Sequence, residues 1–572
     1  MGLARLVIAV LAVLLAGVVP ARSEGLPAAA EAARNPFLAA ETYGADGFNS
    51  SRTGVFVHGV SPGTFKVDLL KAPRIRQGPV NLMTYASPSP RFLWAVSSRR
   101  VAYVELKLSD VVEVAALELG ANPVVVPVGP TALDRLLQPF PDLPRLEETV
   151  RLEFGPDPQG WPSLSEGGVA VVSIDNVLYV NSGPGGTMLL AIRLVQGDPG
   201  PGLKVMSRLD LATVTGPSGK PVGEGGIVGL NMTYDGRVIA VGRRSVAVIE
   251  RTLAGQPQVI SLGNDETVSH GVAVDAKGGI YVASDRMMHK LVWNGFRLTA
   301  SEADGAWAAP YDTGRRPPAG KTGTGAGSAP VLMGFGDDPD KLVVITDGAD
   351  RMKLVAFWRD HIPNRFVQRP RARTLRVAGQ IEVSCGVAPP PDFLQSGHSV
   401  VAHGYDAFVV NTVRPQGADQ PLLDTMATGP ILAPAAGAER FEWNAEYDQW
   451  RSVWTRGDVV TSGMAPALSA RSATVLVHGY TKEDGWELTG MDWMTGRTVH
   501  RTLFGQHPLG NGGFGAIQFL GDDDLLFDSL GGPTRVQLKL ATPKKKAAGS
   551  AAPAASLRSV EGGRPALPEV GR

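Results

Sequence analysis

The chain has a single cysteine among its 572 residues, Cys385, so it cannot form an internal disulfide. One cysteine also excludes a Cys-x-x-Cys-His haem attachment and a cysteine-rich zinc site. Lys plus Arg and Asp plus Glu each number 55, which leaves a formal net charge of zero and no basic excess for binding nucleic acid. We therefore expect no nucleic-acid partner, and we interpret Cys385 as a small buried apolar residue.

Familiar catalytic signatures are missing as well. The sequence contains no Gly-x-Ser-x-Gly nucleophile elbow and no His-Glu-x-x-His metal site. The glycine-rich run 321–328 lacks the Gly-Lys-Ser/Thr order of a P-loop, and we interpret it as a mobile or close-packed loop over a channel. It could cradle an anion. No motif of this kind assigns a reaction to the chain.

Only one long apolar run is present, at the N-terminus. It covers 6–19, follows a short basic start and ends at Pro20, before a small-x-small cleavage site at 21–23. This run is shorter than the roughly 20 residues that a membrane-spanning helix needs. We predict a signal peptide at 1–23, no membrane span, and a periplasmic or secreted protein. The lack of disulfides fits a bacterial periplasm.

The body of the chain repeats one unit, clearest at 270–283. There, two β-rich runs flank an Asp-x-x-Gly turn, in which Asp275 bonds its own turn and Gly278 takes a positive φ. Helical signals are few, the best being 131–137 and 144–149. Eight candidate units lie at 80–104, 168–180, 226–241, 270–283, 330–345, 397–410, 464–477 and 513–527.

Such a rhythm of short strands and turns is typical of an all-β repeat protein. One unit type repeated along one chain favours a β-propeller, because circular closure removes exposed strand edges. We predict seven or eight four-stranded blades over 35–540, with an insertion near 105–165. A flexible leader is expected at 24–34. A disordered tail is expected at 541–572, which has almost no large apolar residues.

Two segments resemble known propeller families. The first, 490–500, resembles the docking motif of pyrroloquinoline-quinone-type propellers, Ala-x-Asp-x-x-Thr-Gly-Lys-x-x-Trp, with His500 in place of the final Trp. The second, 270–283, is similar to a blade of the NHL-repeat and strictosidine-synthase-like lactonase group. Both resemblances imply a propeller and they differ in the chemistry they imply. The first does not by itself imply the quinone, because scaffold proteins share the repeat.

Candidate site residues follow from the predicted fold. The innermost strands of a propeller line its channel, and ligands usually bind where these strands start. Five polar residues occupy such positions: Glu224, His270, Ser328, His398 and Asn511. Together they would offer a carboxylate, two imidazoles, a hydroxyl and an amide, which suit calcium, a carboxylate-bearing ligand or the activation of water. The alternative is that each only caps a strand or bonds a loop.

Other polar and aromatic residues have a more structural interpretation. His403 and His478 precede glycines in turn positions, and we expect both to be structural. The densest aromatic cluster, 441–454, either floors a ligand site or packs between blades.

Three classes of function remain open at this stage. The first is an exported propeller that binds a small organic ligand or another exported protein at its central funnel. The second is a calcium-dependent, lactonase-like hydrolase. The third is a quinone-dependent oxidoreductase of the quinoprotein type, which is supported by one docking-like motif.

Overall fold

The protein was analysed as a computed structural model. The predicted signal peptide and nearly all of the predicted tail lie outside the residues that it describes. The described residues are 25–39, 48–76, 81–97, 100–119, 134–156, 169–317, 319–321, 323–418, 420–513, 515–540 and 542–543. Within these ranges, no helix has the length and apolarity to cross a membrane.

Eight antiparallel sheets follow one another along the chain, and we number them as blades 1 to 8. Seven of them have four or more strands and the eighth has three, which confirms the all-β propeller. Two short strands precede the blades, β1 (Val55–Phe56) and β2 (Gly63–Lys66). Each predicted hairpin unit supplies the first two strands of a blade.

The strands of blades 1 to 4 are β3 (Asn81–Ala86), β4 (Phe92–Ser97), β5 (Arg100–Leu106) and β6 (Val111–Glu118); β7 (Ala170–Val172), β8 (Val177–Ser182), β9 (Met188–Val195) and β10 (Gly202–Asp210); β11 (Ile227–Met232), β12 (Val238–Gly242), β13 (Ser245–Ile249) and β14 (Gln258–Ser261); and β15 (Ala273–Val274), β16 (Gly279–Ala283), β17 (Met287–Trp293), β18 (Leu298–Thr299) and β19 (Trp307–Pro310).

The strands of blades 5 to 8 are β20 (Val331–Met333), β21 (Leu342–Thr346), β22 (Lys353–Trp358) and β23 (Val377–Glu382); β24 (Val401–His403), β25 (Asp406–Val410), β26 (Ala435–Asn444) and β27 (Gln449–Thr461); β28 (Ala467–Ser469), β29 (Thr474–Thr481), β30 (Gly485–Asp492) and β31 (Thr498–Gly505); and β32 (Ile517–Gly521), β33 (Asp524–Ser529) and β34 (Gly532–Gln537). A last strand, β35 (Thr542–Pro543), pairs with β2 at the outer edge of blade 7.

The hairpin turns form for the reason that the sequence indicates. In blade 4, Asp275 Oδ1 accepts the backbone N–H groups of Lys277 and Gly279 at 2.8 and 2.9 Å. Gly278 has φ +84°, a conformation that glycine adopts without steric cost. The turn therefore sets the register Val274↔Ile280 between β15 and β16.

Neighbouring blades are held together by apolar clusters and by a recurring indole bond. In three places, a tryptophan in or just after the third strand of a blade donates a hydrogen bond from its indole N–H. The acceptor is an aspartate at the first hairpin turn of the preceding blade. The three pairs are Trp293–Asp235 at 2.9 Å, Trp443–Asp340 at 2.7 Å and Trp493–Asp406 at 3.2 Å. The turn aspartates thus connect neighbouring blades.

The ring closes between the last blade and the first. One apolar cluster contains Leu476 of blade 7, Phe527 of blade 8 and Leu93 of blade 1, all of them fully or almost fully buried. Buried Asp528 of blade 8 also accepts the backbone N–H of Thr84 of blade 1 at 3.1 Å. Outside β34, residues 73–75 take the fourth position of blade 8, with Ile75 N donating to Pro533 O at 3.1 Å.

The N-terminal segment 48–56 runs along the inner strands, inside the channel. Its carbonyl groups accept one backbone N–H from each of blades 4 to 7 in succession. These bonds are Val274–Ser50 at 2.8 Å, Leu332–Ser51 at 3.1 Å, Ala402–Thr53 at 2.8 Å and Leu468–Gly54 at 2.9 Å. Since inner strands have an unpaired edge, the segment satisfies groups that would otherwise lack partners.

The predicted leader also contacts the blades over its described part, 25–34. Leu26 N donates to Ala470 O at 3.0 Å, and Tyr234 Oη donates to Ala33 O at 2.6 Å. His403 Nε2 lies 2.8 Å from Pro27 O. This part of the chain therefore follows the propeller from blade 7 to blade 3, where the sequence suggested a flexible stretch.

The insertion begins later than position 105, because 111–118 forms the fourth strand of blade 1. It contains helix α1 (Leu143–Phe154), which includes the predicted helix at 144–149; part of the one predicted at 131–137 lies outside the described residues. Asp142 caps α1 by accepting Arg145 N at 2.9 Å. Leu146 and Val150 of α1 pack on a second helix, α2 (Pro421–Ala427), which belongs to blade 6.

Candidate functional site

A cavity of about 630 Å³ lies where the inner strands of blades 4 to 8 start. The hydrogen bonds of segment 48–56 reach the second residue of each inner strand in blades 4 to 7, beyond the cavity wall. The Arg52 side chain of that segment donates from Nε to Val272 O at 2.6 Å. Since Val272 is two residues from His270 on the cavity wall, the segment closes the channel just below the cavity.

Three of the five predicted site residues line this one cavity: His270, His398 and Asn511. Ser328 is buried beside Gly327, which lines the wall. Glu224 does not line this cavity. Its backbone N–H bonds Pro221 O at 3.2 Å, which places Glu224 in an exposed turn before β11 begins at Ile227.

His398 and Asn511 are each held by a hydrogen bond to a residue of another blade. His398 Nε2 lies 3.1 Å from Ser462 O, so this ring nitrogen carries the proton that it donates. Asn511 donates from Nδ2 to Thr425 O at 2.7 Å and accepts Gly513 N at 2.9 Å. Both ends of the Asn511 amide are therefore used to build the wall, which is the loop-bonding alternative for that residue.

Lys321 is a cavity residue that the sequence analysis did not select. Its side chain lies along Gly327, where a Cβ would come within 2.5 Å of Lys321 Cε. Gly327 has φ +70°, so glycine is needed there both for space and for conformation. Burial lowers the pKa of Lys321 to about 8, although the Asp347 carboxylate acts in the opposite direction. The glycine-rich run 321–328 is thus packed against its neighbours.

The charged residues on the cavity wall are mainly cationic. Arg316, Lys321 and Arg414 line it together with one acid, Asp424. Asp424 forms an ion pair with Arg414 and also accepts Ala418 N at 3.0 Å. The only acidic side chain on the described wall is therefore already neutralised, which leaves an excess of positive charge facing the cavity.

Ser462 and His478 form the one nucleophile–base pair at this wall among the described residues. Ser462 Oγ lies 2.6 Å from His478 Nδ1, and His478 Nε2 lies 2.8 Å from Gly510 O. Burial lowers the pKa of His478 to about 4, which makes the imidazole a weak base. The hydrogen bond to His478 mainly holds Ser462 in place, and the Ser462 carbonyl in turn accepts the hydrogen bond of His398. This agrees with the structural role expected for His478.

Acidification is expected to destabilise the protein through His478. An unfolded histidine titrates near pH 6.5, whereas the pKa of His478 is about 4, so the unfolded state takes up the proton first. The contribution of His478 to the free energy of unfolding is complete above pH 6.5 and falls by up to about 3 kcal/mol as the pH drops to 4. Urea unfolding at pH 7.5 and 4.5 measures this loss. The variant His478→Gln should lose less on acidification, and an equal loss would assign the effect to other groups.

The wall does not fit the two cofactors raised by the sequence. Across the described ranges, no three His, Cys, Asp or Glu side chains come together as a metal-binding group. Calcium prefers carboxylate oxygens, and Asp424 is committed to Arg414. The described wall also has no aromatic side chain that a quinone could stack on.

The aromatic cluster 441–454 lies between blades, away from the cavity. Phe441, Trp443 and Trp450 are buried between blades 5 and 6. Trp454 donates from Nε1 to Trp493 O at 2.9 Å and covers Gly496, where a Cβ would lie 2.7 Å from the indole. Trp454 of blade 6 therefore packs on the turn of segment 490–500. The aromatic cluster packs between blades, which is the packing interpretation given above.

No protein-family model matches the chain. Among curated proteins, an uncharacterised protein of Archaeoglobus fulgidus is 30% identical over 318 residues, which are 53% of this chain and 59% of that protein. Among solved structures, BamB from Moraxella catarrhalis is 11% identical with a TM-score of 0.41, over 81% of this chain and 95% of BamB. Sqt1 from Chaetomium thermophilum is 8% identical with a TM-score of 0.39, over 76% of this chain and 86% of Sqt1. These structural similarities concern the fold alone.

Proposed function

We propose that this chain is an exported propeller that binds a small organic ligand in the cavity where its inner strands start. The observation that carries the proposal is the cavity of about 630 Å³, whose wall includes both His270 and His398. Its volume lies in the range of pockets that hold small molecules. A protein partner at the same funnel is the alternative, and the volume of the cavity favours a small ligand.

The two enzyme classes receive less support from the same residues. A calcium-dependent hydrolase needs several oxygen ligands, and Asp424 on the wall is bound to Arg414. A quinone-dependent oxidoreductase needs a stacking surface, and the tryptophans of 441–454 lie between blades. Binding needs only an enclosed surface with a few fixed polar groups, which this cavity has.

Ligand binding is expected to depend on the two histidines. Native mass spectrometry of the purified protein with a mixture of small organic acids, amides and sugars would identify compounds that it retains. In the double variant His270→Ala/His398→Ala, the affinity for a retained compound should fall at least about tenfold, because two polar contacts on the wall are removed.

The exposed His361 offers a matched control outside the cavity. His361→Ala should bind as the wild type does. Unchanged affinity in the double variant, with the fold intact by circular dichroism, would place the ligand elsewhere and contradict the proposal.

A further inference from the structure

Lys321 is a buried cation on the cavity wall, and it has no ion pair among the described residues. Its side chain is 9% exposed, and its one hydrogen bond within the described residues is long, 3.4 Å to Asp347 O. None of the salt bridges among these residues includes Lys321. Burying a charge without a partner costs free energy, which an arriving opposite charge would recover.

The acidic side chains near Lys321 form ion pairs with other cations. Asp347, behind it at the end of β21, lies 3.1 Å from Lys353 Nζ, and Lys353 also pairs with Asp312. Burial raises the pKa of Asp347, so its carboxylate is itself poorly solvated. On the cavity side, Asp424 pairs with Arg414. The other titratable and charged groups facing the cavity are His270, Arg316 and His398, none of which is an acid.

We propose that the cavity takes an organic carboxylate, whose anionic group is received by the Lys321 ammonium while its uncharged part lies towards His270 and His398. This rests on the proposed function above. A single negative charge matches Lys321, the one buried cation on the described cavity wall without an ion pair. The exposed Arg316 at the wall attracts the same charge from solution.

The proposal sets the direction of the pH dependence. The anion binds the protonated amine, so binding raises the pKa of Lys321 above its value of about 8. Affinity is therefore greatest below pH 8, where the ammonium is already formed in the empty cavity. Above pH 8 it should fall by up to about tenfold per pH unit, because each binding event must first take up a proton.

The test measures the reactivity of the Lys321 amine itself. Full-length protein is treated with trace acetic anhydride between pH 6.5 and 10, and acetylation is read by peptide mass spectrometry. The probes are acetate, succinate and benzoate, each compared with its amide, and inorganic phosphate. A saturating carboxylate should protect Lys321 at least about tenfold at pH 8. The amides should give no protection, and exposed Lys482 should react equally in all samples.

Two variants separate a charge effect from a loss of folding. Lys321→Met should weaken binding of the protecting carboxylate by about tenfold to a hundredfold, since a charged hydrogen bond is lost. Lys321→Arg should keep most of it. Binding is measured from the change in the NMR signals of the probe. These signals can also be recorded at pH values where acetylation is slow.

Three results would overturn the inference. They are equal protection by acids and amides, stronger protection by phosphate than by any carboxylate, and unchanged carboxylate affinity in a folded Lys321→Met variant. The proposed function is decided separately, by the histidine variants and an uncharged retained compound. If one of these three results is obtained while a neutral ligand still depends on His270 and His398, the proposed function stands and this inference is rejected.

Discussion

The variant Trp443→Ala is expected to lose about 3–5 kcal/mol of unfolding free energy. Trp443 is 2% exposed, between blades 5 and 6. Its ring meets Trp358 at 6.4 Å and Trp450 at 5.3 Å, both edge-on. Removing the indole leaves a cavity in this contact and takes a donor from Asp340, whose carboxyl already has its pKa raised by burial.

Urea unfolding at neutral pH measures this loss. A second variant separates the contribution of the ring from that of the N–H donor, and a third is a control on the exposed side of the hairpin. Trp443→Phe keeps a ring and loses the N–H donor, so it should cost about 1–3 kcal/mol. Tyr447→Ala, in the turn of the same hairpin and 57% exposed, should stay within about 0.5 kcal/mol of the wild type. A loss in Tyr447→Ala as large as that in Trp443→Ala would contradict the account.

The blades could be predicted from the sequence because their signals are local. In each unit, the turn and the two strands lie within about 20 residues, so Asp275 and Gly278 identify their own hairpin. The indole bonds between blades could not be predicted in the same way. Trp443 and Asp340 are 103 positions apart, and only the closed ring brings them together.

The candidate site was predictable in part for the same reason. His270, His398 and Asn511 stand just before inner strands, and the symmetry of a propeller brings such positions to one cavity. Glu224 does not reach this cavity because the chain turns once more before β11. Lys321 was missed because its side chain reaches the cavity from a connecting loop, through space left by Gly327.

The N-terminal segment is the part of the fold that local patterns could not reveal. Ser50 accepts the N–H of Val274, and Gly54 accepts that of Leu468, across more than 200 positions of sequence. A strand that pairs with distant residues leaves no turn signal beside it. The segment also closes the channel just below the cavity, where Arg52 donates to Val272 O.

Phe56 anchors this segment to the last blade. Its side chain is fully buried and stacks on Phe519 of β32 at 5.2 Å, with the rings 2° from parallel. The Phe48 ring meets the Phe56 ring at 5.8 Å, and Phe56 O accepts Ala470 N at 2.8 Å. The three phenylalanines thus tie the centre of the channel to the blade that closes the ring.

Replacing Phe56 by alanine is expected to lower the unfolding free energy by about 3–5 kcal/mol, with a second effect inside the channel. The amides of Val274 and Leu468, which donate to the segment, should exchange hydrogen faster because local opening becomes easier. Hydrogen exchange with mass spectrometry measures this.

Val57→Ala changes a neighbouring side chain that is 54% exposed, and it should leave both stability and exchange nearly unchanged. If Phe56→Ala destabilised the protein without faster exchange at the inner strands, the stacking on Phe519 would matter for ring closure alone. The closed end of the channel would then need another explanation.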